Sequence, residues 1–277
     1  LLRLNIGKKP APEPSRWRVR SPSIGSTFQP RMPASAYALA ASRHMHQFGT
    51  TREQLAQVAV AARQWALLNP KAWEKQPLTL EQVLASRMVS EPLTVRDCCL
   101  VTDGGGAVVL TTTERARSLK KPPVLVLGTG DAIGHQEIQN MADLTTTAAV
   151  QSGRAAFRMA GLGPADVQVA MLYDAFTINT ILFLEDLGFC AKGEGGRFVA
   201  DGAIAPGGKL PVNTSGGGLS YCHPGMYGLL VMIEAIRQVR GECGQRQVKN
   251  CDVAIAHGNG GVLSSQCTVI FGSENTV

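Results

Sequence analysis

Apolar residues recur at Leu55, Val58, Ala62 and Trp65 within "TTREQLAQVAVAARQWALLNP". Positions three and four apart share one face of an α-helix, so this stretch predicts a helix. A capping-box pair at Thr50 and Glu53 opens it, and Asn69-Pro70 ends it. "TLEQVLASRM" predicts a second helix capped by Thr79. "CCLVTDGGGAVVLTT" is two apolar runs about a glycine turn and predicts a hairpin or strand pair. "KKPPVLVLGTG" then sets two Lys and two Pro before a continuous apolar run, which predicts a boundary near residue 120 and a buried strand.

Beyond that boundary, helical and strand patterns alternate. "DLTTTAAVQSGRAAFRMAGL" predicts a helix stopped at Gly161. "VQVAMLYDAF" is continuous enough for a buried strand. "TINTILFLEDLGF" predicts a short helix with Gly188 past its end. In "MYGLLVMIEAIRQVRG", Leu229, Ile233, Ile236 and Val239 line one side, and Glu234, Arg237 and Gln238 are expected to face away. "CDVAIAHGNGGVLSSQCTVIFG" predicts strand, glycine turn, strand. Such alternation implies an α/β fold with a largely buried sheet.

Composition narrows the function classes. At 277 residues with 44 % hydrophobic and 17 % charged residues, the chain has the makings of one large or two ordinary globular domains. Aromatics at 5 % leave little for a base-stacking surface, so no nucleic-acid partner is expected. No apolar run reaches the roughly 18 residues of a membrane span. Seven cysteines without CxxC pairing read as reduced thiols in a cytoplasmic protein. The net charge of +6 suits an anionic ligand as well as a polyanion. Residues 8–35 read as a long loop; its Lys8, Lys9, Arg16, Arg18 and Arg20 either face a phosphate or form a solvated tether.

Several motifs are discounted. "GTGDAIG" lacks the third glycine of a dinucleotide fingerprint, since Gly134 comes one residue late. "DGGG" at 103–106 joins two apolar runs and reads as a turn. His44 and His46, two apart on a helix, do not share a face. Cys98-Cys99 reads as buried packing. No metal is expected.

Three glycine-bearing loops carry the candidate chemistry. Tyr173-Asp174-Ala175-Phe176 lies where a buried strand meets a helix. Gly216, Gly217 and Gly218 bare the backbone ahead of His223 and Tyr227 at the next helix start. His257-Gly258-Asn259-Gly260-Gly261 follows the penultimate strand. Together they describe an oxyanion site for a carbonyl or thioester oxygen that gains charge. The expected acid/base groups are Tyr173, His223, Tyr227 and His257. The expected ligand-binding glycines are Gly216, Gly217, Gly218 and Gly260.

In these residues the chain resembles the thiolase superfamily, in its sterol-carrier-protein and lipid-transfer-protein-like branch. "SRHMHQFGTTREQLAQVAVAARQWALLNP", "LTLEQVLASRMVSEPLTVRDCCLVTDGGGAVVL", "LGFCAKGEGGRF", "LPVNTSGGGLSYCHPG" and "EAIRQVRGECGQRQV" follow that branch in order. The resemblance implies an α/β fold of five layers, α-β-α-β-α. Residues 120–277 would be the C-terminal thiolase-like domain, complete, and residues 1–119 the later part of the N-terminal half. An incomplete first-half sheet would then leave an exposed edge. The first residue is Leu1, which fits an N-terminally incomplete chain.

The departures from the family direct the functional expectation. The acylated Cys of thiolases has no counterpart among the seven cysteines. Tyr173 stands where the family carries Asn or His, His223-Pro224 keeps its His-Pro motif, and His257 stands where biosynthetic thiolases carry a second Cys. Tyr173 with Tyr227 is similar to thiolase-like steroid side-chain aldolases, although the spacing around Gly225–Gly228 is shorter than in ordinary thiolases. The resemblance implies an acyl-CoA substrate, retro-aldol cleavage of a β-hydroxyacyl-CoA without an acyl-enzyme, and no cofactor beyond the CoA thioester itself. Tyr173 and Tyr227 would carry the protons, while His223 and glycine N–H groups would hold the enolate oxygen. Partners would be a second copy, or a small OB-fold-domain protein in a hetero-oligomer. Thiolytic acyl transfer and a non-catalytic acyl-CoA- or lipid-binding subunit remain the alternatives.

Overall fold

The computed structural model describes residues 32–276. The basic residues at 8–20 lie outside the described residues. Helix α1 (Ala34–Phe48) ends at Gly49, whose φ of 74° lets its N–H close onto Met45 O. Helix α2 spans Arg52–Leu67 and is capped one residue later than the sequence pattern suggests. Thr51 Oγ1 accepts from Gln54 N–H at 3.3 Å, and Thr51 N–H donates to Gln54 Oε1 at 3.0 Å. Thr50 is unavailable as a cap because its hydroxyl bonds His44 Nδ1 at 2.7 Å. Helix α3 (Leu80–Leu84) starts from the predicted Thr79 cap.

Residues 32–119 carry little sheet. Among the described residues there, only β1 (Met88–Ser90) and β2 (Leu93–Thr94) pair, as an antiparallel ribbon. The expected hairpin at 98–112 does not form. Instead Cys99 N–H donates to Ala175 O at 2.8 Å and Leu100 N–H to Gly218 O at 2.9 Å. The apolar run spends its backbone on the loops of the candidate site, and Val101, Val109 and Leu110 stand exposed. A short helix α4 (Thr113–Arg117) follows. Among the described residues the first-half sheet is thus reduced to the two-stranded β1–β2 ribbon.

The remainder is the α/β body, so the α/β class read from the sequence holds. Its elements are β3 (Leu125–Ile133), α5 (Ala149–Ala160), β4 (Val169–Leu172), α6 (Thr177–Asp186), α7 (Gly195–Phe198), α8 (Gly228–Val239), β5 (Val253–Gly260) and β6 (Ser265–Gly272). One sheet runs β3-β6-β5-β4, with β4 and β5 parallel and the other pairs antiparallel. Residues 211–213 extend it beside β4: Ala170 N–H donates to Pro211 O, and Asn213 N–H to Ala170 O, both at 3.0 Å. Helix α5 packs on β3 and β6, and α8 on β5 and β4. The glycines of "GTG" serve that packing. A Cβ on Gly128 would collide with Ala156 O, and one on Gly130 with Ser152 O. Helices α5 and α6 are followed, as predicted, by Gly161 at φ 67° and Gly188 at φ 85°.

Helix α6 is buried at every residue and anchors the core, with α1 and α2 against it. Helix α8 departs from its sequence pattern. Its buried residues are Leu230, Val231, Glu234, Ala235 and Gln238, whereas Leu229, Ile233, Ile236 and Val239 are half-buried. Glu234 is internal because Arg246 meets it at 2.7 and 3.0 Å and Thr214 Oγ1 donates to it at 3.0 Å. Gln238 accepts from Val248 N–H at 3.0 Å and donates to Arg246 O at 2.9 Å. A buried charge stays in a fold when it is paired and hydrogen-bonded, and here both conditions are met.

Candidate active site

The strands β4 and β5 end side by side, with Tyr173 N–H donating to His257 O at 3.0 Å. Beyond these ends opens a cavity of about 1080 Å³. Tyr37, Cys99, Tyr173, His223, Asn259, Gly260 and Gln266 are among its walls. Ligands collect at the carboxyl ends of strands because loops there present side chains around a rigid rim.

Three aromatic side chains cluster at one wall. The rings of Tyr173 and His223 meet edge to face at 5.4 Å, those of Tyr173 and Tyr227 likewise at 5.5 Å, and His223 stacks on Tyr227 at 5.5 Å. Tyr173 Oη donates to Gly225 O at 3.2 Å. His223 is set by its own N–H, which donates to Thr102 Oγ1 at 2.9 Å. Its Nε2 and Tyr227 Oη are buried and have no hydrogen-bond partner. Tyr173 and His223 line the cavity, while Tyr227 is fully buried behind them.

Burial sets the protonation of the cluster. It raises the Tyr173 phenol and pushes Tyr227 well above the ordinary tyrosine value. It lowers His223 below the ordinary histidine value. All three are therefore uncharged at neutral pH. The thiols on the wall are also protonated there: burial takes Cys99 up to about 12 and raises Cys267.

The triple glycine lies elsewhere than expected. Its amides are all taken within the protein: Gly216 N–H donates to Asn213 O at 2.8 Å, Gly217 N–H to Ser215 Oγ at 3.4 Å, and Gly218 N–H at 2.6 Å to Asp174, a wholly buried carboxyl that also accepts from Leu219 N–H at 3.3 Å. Gly216, Gly217 and Gly218 are bare for steric reasons. Gly216 (φ 103°) and Gly217 (φ 65°) are left-handed, and a Cβ on Gly217 would strike Asp174 Oδ2. One on Gly218 would sit 2.7 Å from His223 Cδ2. The glycines thus form a π-helical turn, Gly217–Tyr221, wrapped on Asp174, and that turn delivers His223 to the cavity.

His257 is likewise displaced from its expected place. It is fully buried, with Phe183 against its ring at 4.5 Å. Its Nδ1 meets Thr268 Oγ1 and its Nε2 meets Gln266 Oε1, each at 2.9 Å. Burial takes it down to about 4, so it stays neutral and does not line the cavity. Gly260, of the same loop, does. Tyr37, Asp174, Asn259 and Gln266 escaped the sequence reading. Asp174 had a signal in its neighbour Tyr173 at a strand end, and Asn259 lay inside a motif already singled out.

Among the described residues no cluster of three or more His, Cys, Asp or Glu is arranged to hold a metal ion. No described helix is long and apolar enough to cross a membrane.

Residues 130–273 match the family described as thiolase C-terminal domain-like. The chain belongs to this thiolase-like family. It is 42 % identical over 239 residues to an acetyl-CoA acetyltransferase of Methanothermobacter thermautotrophicus, covering 86 % of this chain and 62 % of that protein. It is 41 % identical over 241 residues to a steroid side-chain-cleaving aldolase of Thermomonospora curvata, covering 82 % and 59 %. The chain thus spans about three-fifths of these relatives' length. Among solved structures, an Ltp2-ChsH2(DUF35) aldolase superposes with a TM-score of 0.85 at 36 % identity, over 95 % of this chain and 71 % of that one. A monomeric SCP2-thiolase like protein of Mycobacterium smegmatis shares the fold, with a TM-score of 0.66 at 22 % identity over 87 % and 52 %.

Proposed function

We propose that this thiolase-like chain takes an acyl-CoA and cleaves the bond between Cα and Cβ of a β-hydroxyacyl-CoA by a retro-aldol reaction. The observation that carries this reading is the pair of uncharged cavity groups, the Tyr173 phenol and the His223 imidazole with its unpartnered Nε2. Neutral His223 takes the β-hydroxyl proton. The O–H electrons form the new C=O, the Cα–Cβ pair moves onto the thioester as an enolate, and the Tyr173 phenol protonates Cα. Return of the proton from His223 to Tyr173 resets the site. A phenol raised by burial is a better donor than base, so Tyr173 is assigned the second transfer rather than the first. Tyr227 supports the His223 ring from behind.

The protonated state of Cys99 and Cys267 favours this chemistry over an acyl-enzyme formed on a cavity thiol. The similarity to the acetyl-CoA acetyltransferase favours thiolytic acyl transfer as the second reading. Intact-mass analysis after incubation with acetyl-CoA separates the two, since an acyl adduct belongs only to the second. By analogy with the solved Ltp2-ChsH2(DUF35) aldolase the chain works in a hetero-oligomer, and the family resemblance makes its partner a small OB-fold-domain protein. Tyr173→Phe and His223→Ala are each expected to lower retro-aldol turnover about 10²- to 10⁴-fold, the usual span for a lost proton carrier. Unchanged turnover in both would reject the assignment.

A further inference from the structure

The wall facing the cavity from the β5–β6 turn is a single hydrogen-bonded array whose orientation is dictated from its ends. Gln266 Nε2 donates to Leu263 O at 3.2 Å and to Asn259 Oδ1 at 2.9 Å. Leu263 O only accepts, so the Gln266 nitrogen must face that way and its Oε1 must face His257. His257 Nε2 therefore carries the proton, and its Nδ1 accepts from the Thr268 hydroxyl. At the other end Tyr37 Oη donates to Gly261 O at 3.2 Å and so accepts from Asn259 Nδ2 at 2.9 Å.

These constraints leave the Asn259 amide one orientation. Flipped, its NH₂ would oppose the Gln266 NH₂ and its oxygen would lose the Gln266 donor. Gln266 spends both of its N–H groups, and Tyr37 its only O–H. Asn259 spends one N–H of two. The second has no partner among the described residues, and Asn259 is half-buried on the cavity wall. The amides of the triple glycine are committed to Asn213 O, Ser215 Oγ and Asp174, so they offer nothing to a substrate oxygen. We propose that Asn259 donates the hydrogen bond that takes the substrate's thioester oxygen, held in register by Gln266, His257 and Tyr37.

This assignment rests on the acyl-CoA reading above, and the test separates the two. Calorimetric titration of the full chain uses acetyl-CoA and S-ethyl-CoA, a thioether of similar shape without the carbonyl oxygen. The wild type is expected to favour acetyl-CoA about three- to tenfold, the yield of one net hydrogen bond. Asn259→Ala is expected to abolish that preference while leaving S-ethyl-CoA affinity unchanged, with a lower melting temperature because the buried Gln266 N–H loses its acceptor. Gln266→Leu is expected to shrink the preference while S-ethyl-CoA affinity holds, which loss of folded protein alone would not do. A wild type that binds both ligands equally, or an Asn259→Ala variant that keeps the preference, overturns the role of Asn259 and leaves the acyl-CoA reading standing. A wild type that binds neither ligand overturns both.

Discussion

Asp174 offers the sharpest physical prediction. Burial lifts its carboxyl from 3.8 to about 7, against the lowering pull of the Gly218 and Leu219 amides. The folded state thus holds a proton that the unfolded chain releases near pH 4. Between pH 4 and 7 the native protein binds more protons than the unfolded one, so stability falls as pH rises and levels off above 7. Over pH 5 to 8 this amounts to about 3 kcal/mol at 1.36 kcal/mol per pKa unit. Asp174→Asn removes the titration. It also turns an NH₂ toward one of the two amides that the carboxyl satisfies, a pH-independent loss of about 1–3 kcal/mol. The slope, not the offset, is therefore the test. His257, lowered to about 4, makes stability rise with pH between about 4 and 6.5, but it does so in both proteins and cancels in the difference. Urea unfolding followed by tryptophan fluorescence at pH 5, 6, 7 and 8 measures that difference. Asp174→Asn is expected to gain about 3 kcal/mol on the wild type across the range. Parallel stability curves for the two proteins would show that Asp174 does not titrate there, and would refute the reasoning.

Other outcomes follow from the same geometry. Because the neutral imidazole is the proposed base and burial lowers His223, the acidic limb of the kcat/KM profile is expected below pH 6.5; a limb centred above 7 would contradict the role. His257→Leu leaves Gln266 Oε1 without a partner, while Thr268 Oγ1 keeps Ser152 Oγ at 2.9 Å, and is expected to cost about 1–3 kcal/mol in a thermal melt, the usual cost of one orphaned group. Gly217→Ala combines a left-handed backbone with a collision at Asp174 Oδ2. It is expected to destabilise by about 2 kcal/mol or more, measurable by the same melt, whereas Gly161→Ala, with open space around it, should lose only about 1 kcal/mol.

What the sequence revealed depended on how local each cause is. Gly161 and Gly188 mark helix ends because a left-handed residue is needed there, a demand met within a few residues of chain. The β5–β6 hairpin was legible for the same reason. The run at 98–112 was not, since apolar character does not say which backbone will pair with it, and Ala175 and Gly218 lie far along the chain. Helix α8 misled because Glu234 and Gln238 look solvent-facing until Arg246 and Thr214 are in place. At the site, Tyr173, His223 and Gly260 reach one cavity. Gly216–Gly218 and His257 do not, because Asn213, Ser215 and Asp174 claim the glycine amides and Gln266 and Thr268 the imidazole. Reactive residue types are visible in a sequence, but the partner that has already claimed each donor is visible only in three dimensions.

The central claim is that neutral Tyr173 and His223 break a carbon–carbon bond without a nucleophilic thiol. Its most direct test is mass-spectrometric product analysis of the chain with the proposed partner, given a β-hydroxyacyl-CoA without free CoA, and in parallel a β-ketoacyl-CoA with free CoA. The account predicts equal amounts of a carbonyl product and a shortened acyl-CoA from the first mixture, and none from the second. Cleavage confined to the mixture that supplies free CoA would contradict it.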